Sequence, residues 1–255
     1  MPMLDIQQFI CLKDNYGVLI RSGDGSVISI DAPDAAAVLD AAEARGWGLT
    51  HILNTHHHGD HTAGNLALKA RTRCKIIGPA AEADRIPGID TAVKEGDALS
   101  IGGLSIRVLE TPGHTLGHVV YWLPDDKIAF VGDTLFAMGC GRVLEGTPEL
   151  MWRSLERIAA LPPDTTLYCG HEYTVQNARF GMTIEPWNKA LERRLADVEA
   201  LRAEGKPTLP TRVDVEIETN VFLRAGDARI RRELGMGAAA DWRVFAEIRE
   251  RKNRA

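Results

Sequence analysis

Seven consecutive residues, Thr55-His56-His57-His58-Gly59-Asp60-His61, concentrate four imidazoles and one carboxylate. Imidazole and carboxylate groups are ligands that suit zinc, iron and manganese, and neither core packing nor a solvated surface calls for such a density of them. Alternate residues of an extended segment face the same way, so His56 and His58 can converge, and Asp60 and His61 follow where the chain bends. The segment therefore predicts a metal site.

Three more candidate ligands occur later in the chain, each in a short polar motif: His114, Asp133 and His171. The seven side chains then form two ligand sets that share one carboxylate: His56, His58 and His114 for one ion, Asp60, His61 and His171 for the other, and Asp133 as the bridge between them. Each ion would keep an open position for water, as catalytic sites require. Two cations that share a water would lower its pKa and supply hydroxide at neutral pH.

Short strands are the elements that must position these groups. The sequence predicts strands over residues 51–54, 104–109, 127–131 and 166–169, and one candidate ligand group follows each of them. Loops at the strand ends of an α/β sheet are where active sites are built on a rigid frame. This shared placement is a second sign, independent of residue type, that the ligands belong to one constellation.

The remaining patterns predict an α/β region followed by a helical one. Further strands are predicted at 16–21 and 27–31 (a hairpin around Gly23-Asp24-Gly25), 75–78 and 119–123, and helices at 33–44, 64–71 and 147–160. Thr147 is the predicted N-cap of the last of these helices. After Tyr173 the pattern becomes helical, with helices predicted at 185–204, 222–234 and 240–251.

Composition restricts the class of protein. The chain has 255 residues, of which 45% are hydrophobic and 25% are charged, as in ordinary globular proteins. It has no apolar run of the roughly 18 residues that a membrane span needs, and its first residues lack the features of a signal peptide. We therefore expect a cytoplasmic protein. The four cysteines are far apart and form no C-x-x-C pair, which disfavours a thiolate zinc site and a disulfide framework.

The net charge of -5 argues against general affinity for nucleic acid. The charge is unevenly spread, however, because residues 224–255 contain nine Lys or Arg and only five Asp or Glu. This basic segment has two interpretations, a solvated face or a receptor for a small acidic ligand.

Several residues near the motifs have alternative roles. His57 is expected to pack against neighbours, His118 either to hydrogen-bond near His114 or to lie in the core, and Asp31 to orient a ligand histidine through its second ring nitrogen. Cys169 lies two residues before His171, so a Cys–His nucleophile is one interpretation. A small buried thiol at a strand end is the simpler one.

The motif His-x-His-x-Asp-His, with His114, Asp133 and His171, resembles that of the metallo-β-lactamase superfamily. Within it, the chain is similar to the glyoxalase II (hydroxyacylglutathione hydrolase) family. The matching segments include Lys13-Asp14-Asn15-Tyr16, Gly139-Cys140-Gly141-Arg142, Cys169-Gly170-His171-Glu172-Tyr173-Thr174, Glu185-Pro186-Trp187-Asn188 and Asn220-Val221-Phe222-Leu223-Arg224.

The resemblance implies an α/β protein with an αββα four-layer sandwich over residues 1–172 and a C-terminal helical, substrate-binding domain over residues 173–255. It implies two divalent metal ions per chain, zinc in the first place, with iron or manganese as alternatives. The implied reaction is hydrolysis of S-D-lactoylglutathione to D-lactate and glutathione. Family positions that hold glutathione correspond to Arg142, Tyr173, Arg249 and Lys252, and spacing i, i+3 puts the last two on one helix face. Three positions depart from the family pattern: Leu144, Val221 and Asn253.

The expected mechanism is attack of a metal-bound hydroxide on the thioester carbonyl, with the bridging Asp133 as the catalytic ligand. The leaving thiolate, with a pKa near ~8.5, needs no dedicated general acid. One alternative is a mononuclear iron persulfide dioxygenase of the same superfamily, and a remote one is a non-catalytic protein that binds glutathione conjugates. The complete second ligand set disfavours both. The only partner we expect is the small glutathione thioester, bound by a monomer, without nucleic acid or membrane.

Overall fold

The computed structural model describes residues 4–255. The chain forms two compact units. The first contains the described residues up to Glu110 together with Leu116–Gly132, and the second contains Thr111–Thr115 together with Asp133–Ala255.

The first unit contains a six-stranded mixed sheet. Its strands follow chain order: β1 (Asp5–Cys11), β2 (Asn15–Arg21), β3 (Val27–Ile30), β4 (His51–Leu53), β5 (Lys75–Pro79) and β6 (Thr91–Val93). The first three strands are antiparallel, and β3 to β6 are parallel. The predicted hairpin is confirmed, because Val18 pairs with Ile30 and Arg21 with Val27.

A second set of strands in this unit is antiparallel throughout: β7 (Ala98–Ile101), β8 (Leu104–Glu110), β9 (Val119–Leu123) and β10 (Ile128–Gly132). Alternate residues of β8 are buried and exposed, so one face of this strand lies on the core. All residues of β3 are buried, as expected for a strand that is covered on both faces.

Helices of the first unit are α1 (Ala35–Glu43), α2 (Gly59–Thr62) and α3 (Asn65–Thr72), and a 3₁₀ turn spans Ala80–Arg85. The side chain of Asp34 accepts a hydrogen bond from the backbone N of Ala37 and so begins α1. The two longer helices cover one face of the mixed sheet, where Val38 and Leu68 join a core with Leu19, Ile52 and Ile76.

The second unit is mainly helical. Its elements are β11 (Leu135–Phe136), β12 (Gly139–Cys140), α4 (Pro148–Ala159), β13 (Thr166–Cys169), α5 (Thr174–Ile184), α6 (Lys189–Ala203), β14 (Thr211–Arg212), α7 (Val213–Thr219), α8 (Ala228–Glu233) and α9 (Asp241–Arg254). The predicted N-cap of α4 is confirmed, because the Thr147 hydroxyl accepts from the backbone N of Leu150.

Two predicted helices begin at other residues. The predicted helix 185–204 starts only at Lys189, because the side chain of Asn188 accepts hydrogen bonds from Ala190 and Leu191 and caps α6. The predicted helix 222–234 is wrong over its first half. Asp227 caps the short α8 by accepting from the backbone N of Arg229 and Ile230.

Within residues 4–255, no helix combines the length and the apolar character needed to cross a bilayer.

Candidate metal ligands and their supports

The histidine motif lies in the first unit, between the end of β4 and the start of α2. Two hydrogen bonds fix the loop. The Tyr121 hydroxyl donates to the carbonyl oxygen of Asn54 at 2.8 Å, and Asn54 Nδ2 donates to the carbonyl oxygen of His61 at 3.0 Å. Burial raises the pKa of Tyr121 well above its usual value, so its hydroxyl stays a donor at neutral pH.

The two alternate histidines converge as predicted. His56 Nε2 lies 3.1 Å from His58 Nδ1. Two nitrogens bound to the same tetrahedral zinc lie about 3.3 Å apart, given bonds of roughly 2.05 Å. Thr55 Oγ1 donates to Asp31 Oδ2, so it accepts from His56 Nδ1 at 3.0 Å. The proton of His56 is therefore on Nδ1, and the lone pair on Nε2 faces His58.

Asp31 holds a third histidine. Its Oδ2 lies 2.8 Å from Nδ1 of His61, and its Oδ1 accepts from the backbone N of Thr55 at 2.7 Å. The carboxylate fixes the proton on Nδ1 and leaves the lone pair on Nε2 of His61 for an ion. Asp31 therefore contacts the second ring nitrogen of a candidate ligand histidine, as expected from the sequence. The ligand nitrogens of His56 and His61 lie within 4.8 Å of each other.

Asp60 is the most accessible of these groups, with 45% of its side chain exposed. Its Oδ2 lies 3.9 Å from His61 Nε2. Asn15 Nδ2 donates both to this oxygen, at 3.3 Å, and to the backbone carbonyl of Asp60, at 3.1 Å. Asn15 therefore positions a candidate ligand 45 residues away, a role that the sequence pattern did not indicate.

His57 packs against a neighbouring histidine, as predicted, with its ring centroid 4.7 Å from that of His58. The Glu82 carboxylate accepts from the backbone N of His57 at 2.8 Å and lies 2.7 Å from Nδ1 of the same residue. Its other oxygen accepts from the backbone N of Gly117 at 2.8 Å. Glu82 is buried in the 3₁₀ turn, and its carboxylate links the loop of His57 to the loop of Gly117. Nothing in the sequence around Glu82 indicated this role.

His118 lies in the core, one of its two predicted roles, and stacks on the His56 ring with centroids 5.0 Å apart. Gly132 packs against His118 and Thr55 and leaves no room for a side chain of its own. A Cβ atom there would lie 2.6 Å from His118 Nε2 and 2.7 Å from Thr55 Oγ1, and the backbone φ of +47° also favours glycine. The glycine before Asp133 is thus required by the packing around His56.

The second unit holds the other three candidate ligands. Asp133 Oδ2 lies 3.4 Å from His114 Nε2 and 3.5 Å from His171 Nε2, and all three residues are buried. His114 Nδ1 donates to the carbonyl oxygen of Arg142 at 2.9 Å, so its Nε2 carries the lone pair. One carboxylate oxygen between two imidazole nitrogens is the arrangement that a bridging ligand needs.

His171 follows β13 and is packed between rings. It stacks parallel to Tyr173, with centroids 4.9 Å apart and an interplanar angle of 3°. Cys169, just before it, donates from Sγ to the carbonyl oxygen of His171 at 3.8 Å. Burial raises the pKa of the Cys169 thiol far above its usual range. The buried-thiol interpretation of Cys169 is confirmed, since a protonated thiol turned to a backbone carbonyl is a poor nucleophile.

The four predicted substrate contacts also lie in the second unit. Arg142 is exposed beyond β12, and Tyr173 is half-buried just before α5. Arg249 is buried in α9, where Nη1 donates to the carbonyl oxygen of Cys140 and Nε donates to Asn253. Lys252 follows one helical turn later, and its Nζ donates to the carbonyl oxygen of Gln176 at 3.0 Å. Arg249 and Lys252 share a helix face, as the spacing predicted.

The donor set fits divalent metal ions. Five imidazoles and two carboxylates are borderline to hard ligands. In His56, His61 and His114, Nδ1 is committed to an acceptor, so Nε2 remains for an ion. Metal-binding histidines characteristically have such hydrogen-bonded second nitrogens.

Two family models together match residues 13–255 of the chain. The metallo-β-lactamase superfamily matches residues 13–171, and the hydroxyacylglutathione hydrolase C-terminus matches residues 172–255. The predicted α/β fold with a C-terminal helical domain is confirmed by this pair of matches.

Curated relatives extend over the full length. A protein named hydroxyacylglutathione hydrolase from Rhizobium meliloti (strain 1021) is 55% identical over 254 residues, which is 99% of each chain. One with the same name from Brucella anthropi is 55% identical over 253 residues, covering 99% of this chain and 97% of the relative.

Among solved structures, ETHE1 from Myxococcus xanthus superposes with a TM-score of 0.69 at 24% identity, covering 96% of this chain and 90% of that one. At this identity the likeness bears on the fold alone. The two models and the full-length relatives identify the chain as a member of the hydroxyacylglutathione hydrolase family within the metallo-β-lactamase superfamily.

Proposed function

We propose that this chain hydrolyses the thioester S-D-lactoylglutathione to D-lactate and glutathione. The observation that carries the proposal is the 55% identity over 254 residues to a relative named hydroxyacylglutathione hydrolase. The site chemistry supports it, because the chain retains every ligand of the His-x-His-x-Asp-His motif together with His114, Asp133 and His171.

The proposed ligands hold two divalent ions, and zinc is the first candidate for both, with iron or manganese as the alternatives. They are His56, His58, Asp60, His61, His114, Asp133 and His171. Asp133 is the proposed bridge, because its Oδ2 lies within 3.5 Å of two imidazole nitrogens. When bound, the ions would supply Lewis acidity that polarises a thioester carbonyl and lowers the pKa of a water molecule.

The chain's own residues would position these groups. Asp31 and the carbonyl oxygen of Arg142 fix the tautomers of His61 and His114, so the lone pair of each neutral imidazole is on Nε2. The leaving group is a thiolate with a pKa near ~8.5, which departs without a protonating side chain.

Glutathione recognition is proposed for Arg142, Tyr173, Arg249 and Lys252. Three of them are cationic, and the tripeptide carries two carboxylates, so charge-assisted hydrogen bonds are the expected contacts. Tyr173 adds a ring that is already held parallel to His171. We also propose that the protein is a monomer and lies in the cytoplasm, and both statements stay predictions.

The test combines metal analysis with turnover on purified protein. We expect about two ions per chain and steady hydrolysis of S-D-lactoylglutathione without oxygen uptake. Protein that holds one iron and consumes oxygen with glutathione persulfide, but leaves the thioester intact, would be a dioxygenase instead. Tight binding of lactoylglutathione without turnover, in metal-loaded protein, would point to a binding protein.

A further inference from the structure

A buried hairpin lies between two groups of proposed site residues in the second unit. Strands β11 and β12 pair through Leu135 with Cys140 and Phe136 with Gly139, and Ala137 and Met138 form the turn. The hairpin follows Asp133 and precedes Arg142 in sequence. Its residues are buried, so its outward-facing backbone groups need partners inside the protein.

Side chains from the helical part of the unit supply those partners. Asn220 Nδ2 donates to the carbonyl oxygens of Phe136, at 3.2 Å, and Gly139, at 2.9 Å. Two more side chains donate to carbonyl oxygens of the hairpin: Asn177 Nδ2 to that of Ala137 and Arg249 Nη1 to that of Cys140. In the opposite direction, Glu216 Oε2 accepts from the backbone N of Met138. Five backbone groups of a short hairpin are thus held by four side chains.

Glu216 organises this network. Its carboxylate is completely buried, and Oε2 accepts from the backbone N of Met138 at 2.8 Å and from Asn220 Nδ2 at 3.0 Å. Oε1 accepts from Arg194 and from Thr211. Both oxygens are therefore satisfied, and the charge is paired with a guanidinium, which a buried carboxylate requires.

The turn of the hairpin places Met138 in a backbone conformation that its side chain disfavours. Met138 has a φ of +53°, in the left-handed region that is unfavourable for a residue with a side chain. At Gly139, any Cβ atom would collide with the amide of Asn177. The hydrogen bond from Met138 to Glu216 thus holds a conformation that the turn residues do not favour by themselves.

The Phe136 ring connects the hairpin to two proposed site residues, His171 and Tyr173. Its ring meets His171 edge to face, with centroids 5.8 Å apart at 88°, and meets Tyr173 likewise at 5.4 Å and 88°. His171 is a proposed metal ligand, and Tyr173 is a proposed substrate contact. The same ring therefore sets the orientation of both, because edge-to-face packing restricts ring rotation.

We propose that Asn220 and Glu216 are positioning residues that hold the β11–β12 hairpin and, through the Phe136 ring, fix the imidazole of His171 for metal binding and the ring of Tyr173 for substrate. The assignment of these roles to His171 and Tyr173 rests on the proposed function.

The test uses Phe136→Leu and Asn220→Ala in the full chain. Phe136→Leu leaves every backbone hydrogen bond of the hairpin in place and removes only the ring. Three readouts are compared with wild type: zinc affinity by chelator competition, the imidazole ¹³C–¹H signals of His171 in metal-free protein, and kcat and KM for S-D-lactoylglutathione. The His171 signals are assigned with the variant His171→Asn.

Two controls match these substitutions in kind. Thr211→Val removes a hydrogen bond from the Glu216 oxygen that does not touch the hairpin. Phe245→Leu removes a fully buried ring that packs on Trp152 and Phe222 instead. Both should lower stability and leave zinc affinity within about threefold of wild type.

We expect Phe136→Leu and Asn220→Ala to weaken zinc binding by at least about 10-fold, to shift the His171 signals and to raise KM. Zinc affinity within about threefold of wild type in Phe136→Leu would overturn the proposal, whether or not Asn220→Ala folds. A wild-type protein that does not hydrolyse lactoylglutathione would refute the proposed function, yet the zinc and His171 readouts would still decide the positioning role.

Discussion

The carboxylate of Asp31 lies 2.8 Å from Nδ1 of His61, although thirty residues separate the two in sequence. The same carboxylate accepts hydrogen bonds from the backbone N and the hydroxyl of Thr55, the residue that opens the histidine motif. One side chain at the end of β3 therefore fixes both the start of the motif and the tautomer of its last histidine.

Asp31→Asn should weaken metal binding about 10–100-fold. Asparagine tolerates the left-handed backbone at this position, where φ is +57°, so the fold is expected to survive. If its carbonyl oxygen stays on the Thr55 amide, its NH₂ faces His61 Nδ1. The imidazole must then carry its proton on Nε2, where no lone pair remains for a metal. Zinc affinity by chelator competition measures the effect.

Asp34→Asn is the matched control three residues later. The Asp34 side chain caps α1, and asparagine caps a helix about as well as aspartate. The zinc affinity of Asp34→Asn should therefore equal that of wild type. Equal affinities for Asp31→Asn and Asp34→Asn would show that the carboxylate of Asp31 does not tune the site.

The cysteines should be inert in the native protein. All four are buried and unpaired, and burial raises the pKa of Cys140 to about 11 and that of Cys11 to about 12. A thiol with a raised pKa stays protonated until the pH approaches that value. At pH 8 the thiolate fraction of Cys140 is therefore about one in a thousand. A thiol-reactive dye should label none of them before unfolding and all four in denaturant.

Cys169→Ala should retain kcat within about threefold of wild type, because the thiol donates to a backbone carbonyl and its raised pKa keeps it protonated. Loss of turnover in metal-loaded Cys169→Ala of normal stability would revive the interpretation of a Cys–His nucleophile.

The sequence was sufficient to select the candidate ligands and to predict the strands that precede them, because both signals are local. Imidazole density around His56 and short apolar runs before each ligand need no knowledge of tertiary contacts. The same holds for the Thr147 cap, where residue type and spacing define the hydrogen bond.

Asn15 and Glu82, which support the histidine motif, could not be predicted, because their partners are far away in sequence. Asn15 reaches across 45 residues to Asp60, and Glu82 across 25 to His57. The helix errors at 185 and 222 have a similar cause, since a contact across 39 residues, from Arg224 to Glu185, holds these segments in non-helical turns. The domain division at 172/173 stays a prediction.

Arg224→Met should lower the free energy of unfolding by about 2–4 kcal/mol, because it leaves the Glu185 carboxylate buried without its cation. The pair is bidentate, with both contacts at 2.8 Å, and the Glu185 side chain is 2% exposed. Urea unfolding of metal-free protein measures the change.

Arg179→Met is the control for that experiment, because Arg179 pairs with Glu199 on the surface, where both side chains are well exposed. Such pairs contribute at most about 1 kcal/mol. A similar small loss for both variants would mean that the buried pair adds nothing beyond a surface pair.

Lys252 should make substrate binding depend on pH. Burial, and then the nearby Arg249, lower the pKa of Lys252 below its usual value. The ammonium is charged below that pKa and neutral above it, so a rise in pH removes the charge earlier than for an ordinary lysine. KM for lactoylglutathione should therefore rise on the alkaline side, and Lys252→Arg should flatten that rise because a guanidinium keeps its charge. An identical alkaline profile for wild type and Lys252→Arg would exclude this residue as the source.

Arg249→Ala/Lys252→Ala should raise KM for lactoylglutathione strongly, and Lys252→Ala by itself should leave the metal content unchanged. Each lost charge-assisted contact costs on the order of 1.5–3 kcal/mol when desolvated, which is about 10-fold or more in affinity.

The double variant Arg251→Ala/Arg254→Ala removes the same charge from the same helix, where these arginines pair with Glu247 and Glu250 in solvent. It should keep wild-type KM. Because Arg249 also binds the Cys140 carbonyl, Lys252→Ala alone decides whether the effect comes from charge on this helix face or from the hairpin. If Lys252→Ala and the surface control gave the same KM, residues 224–255 would be a solvated basic face.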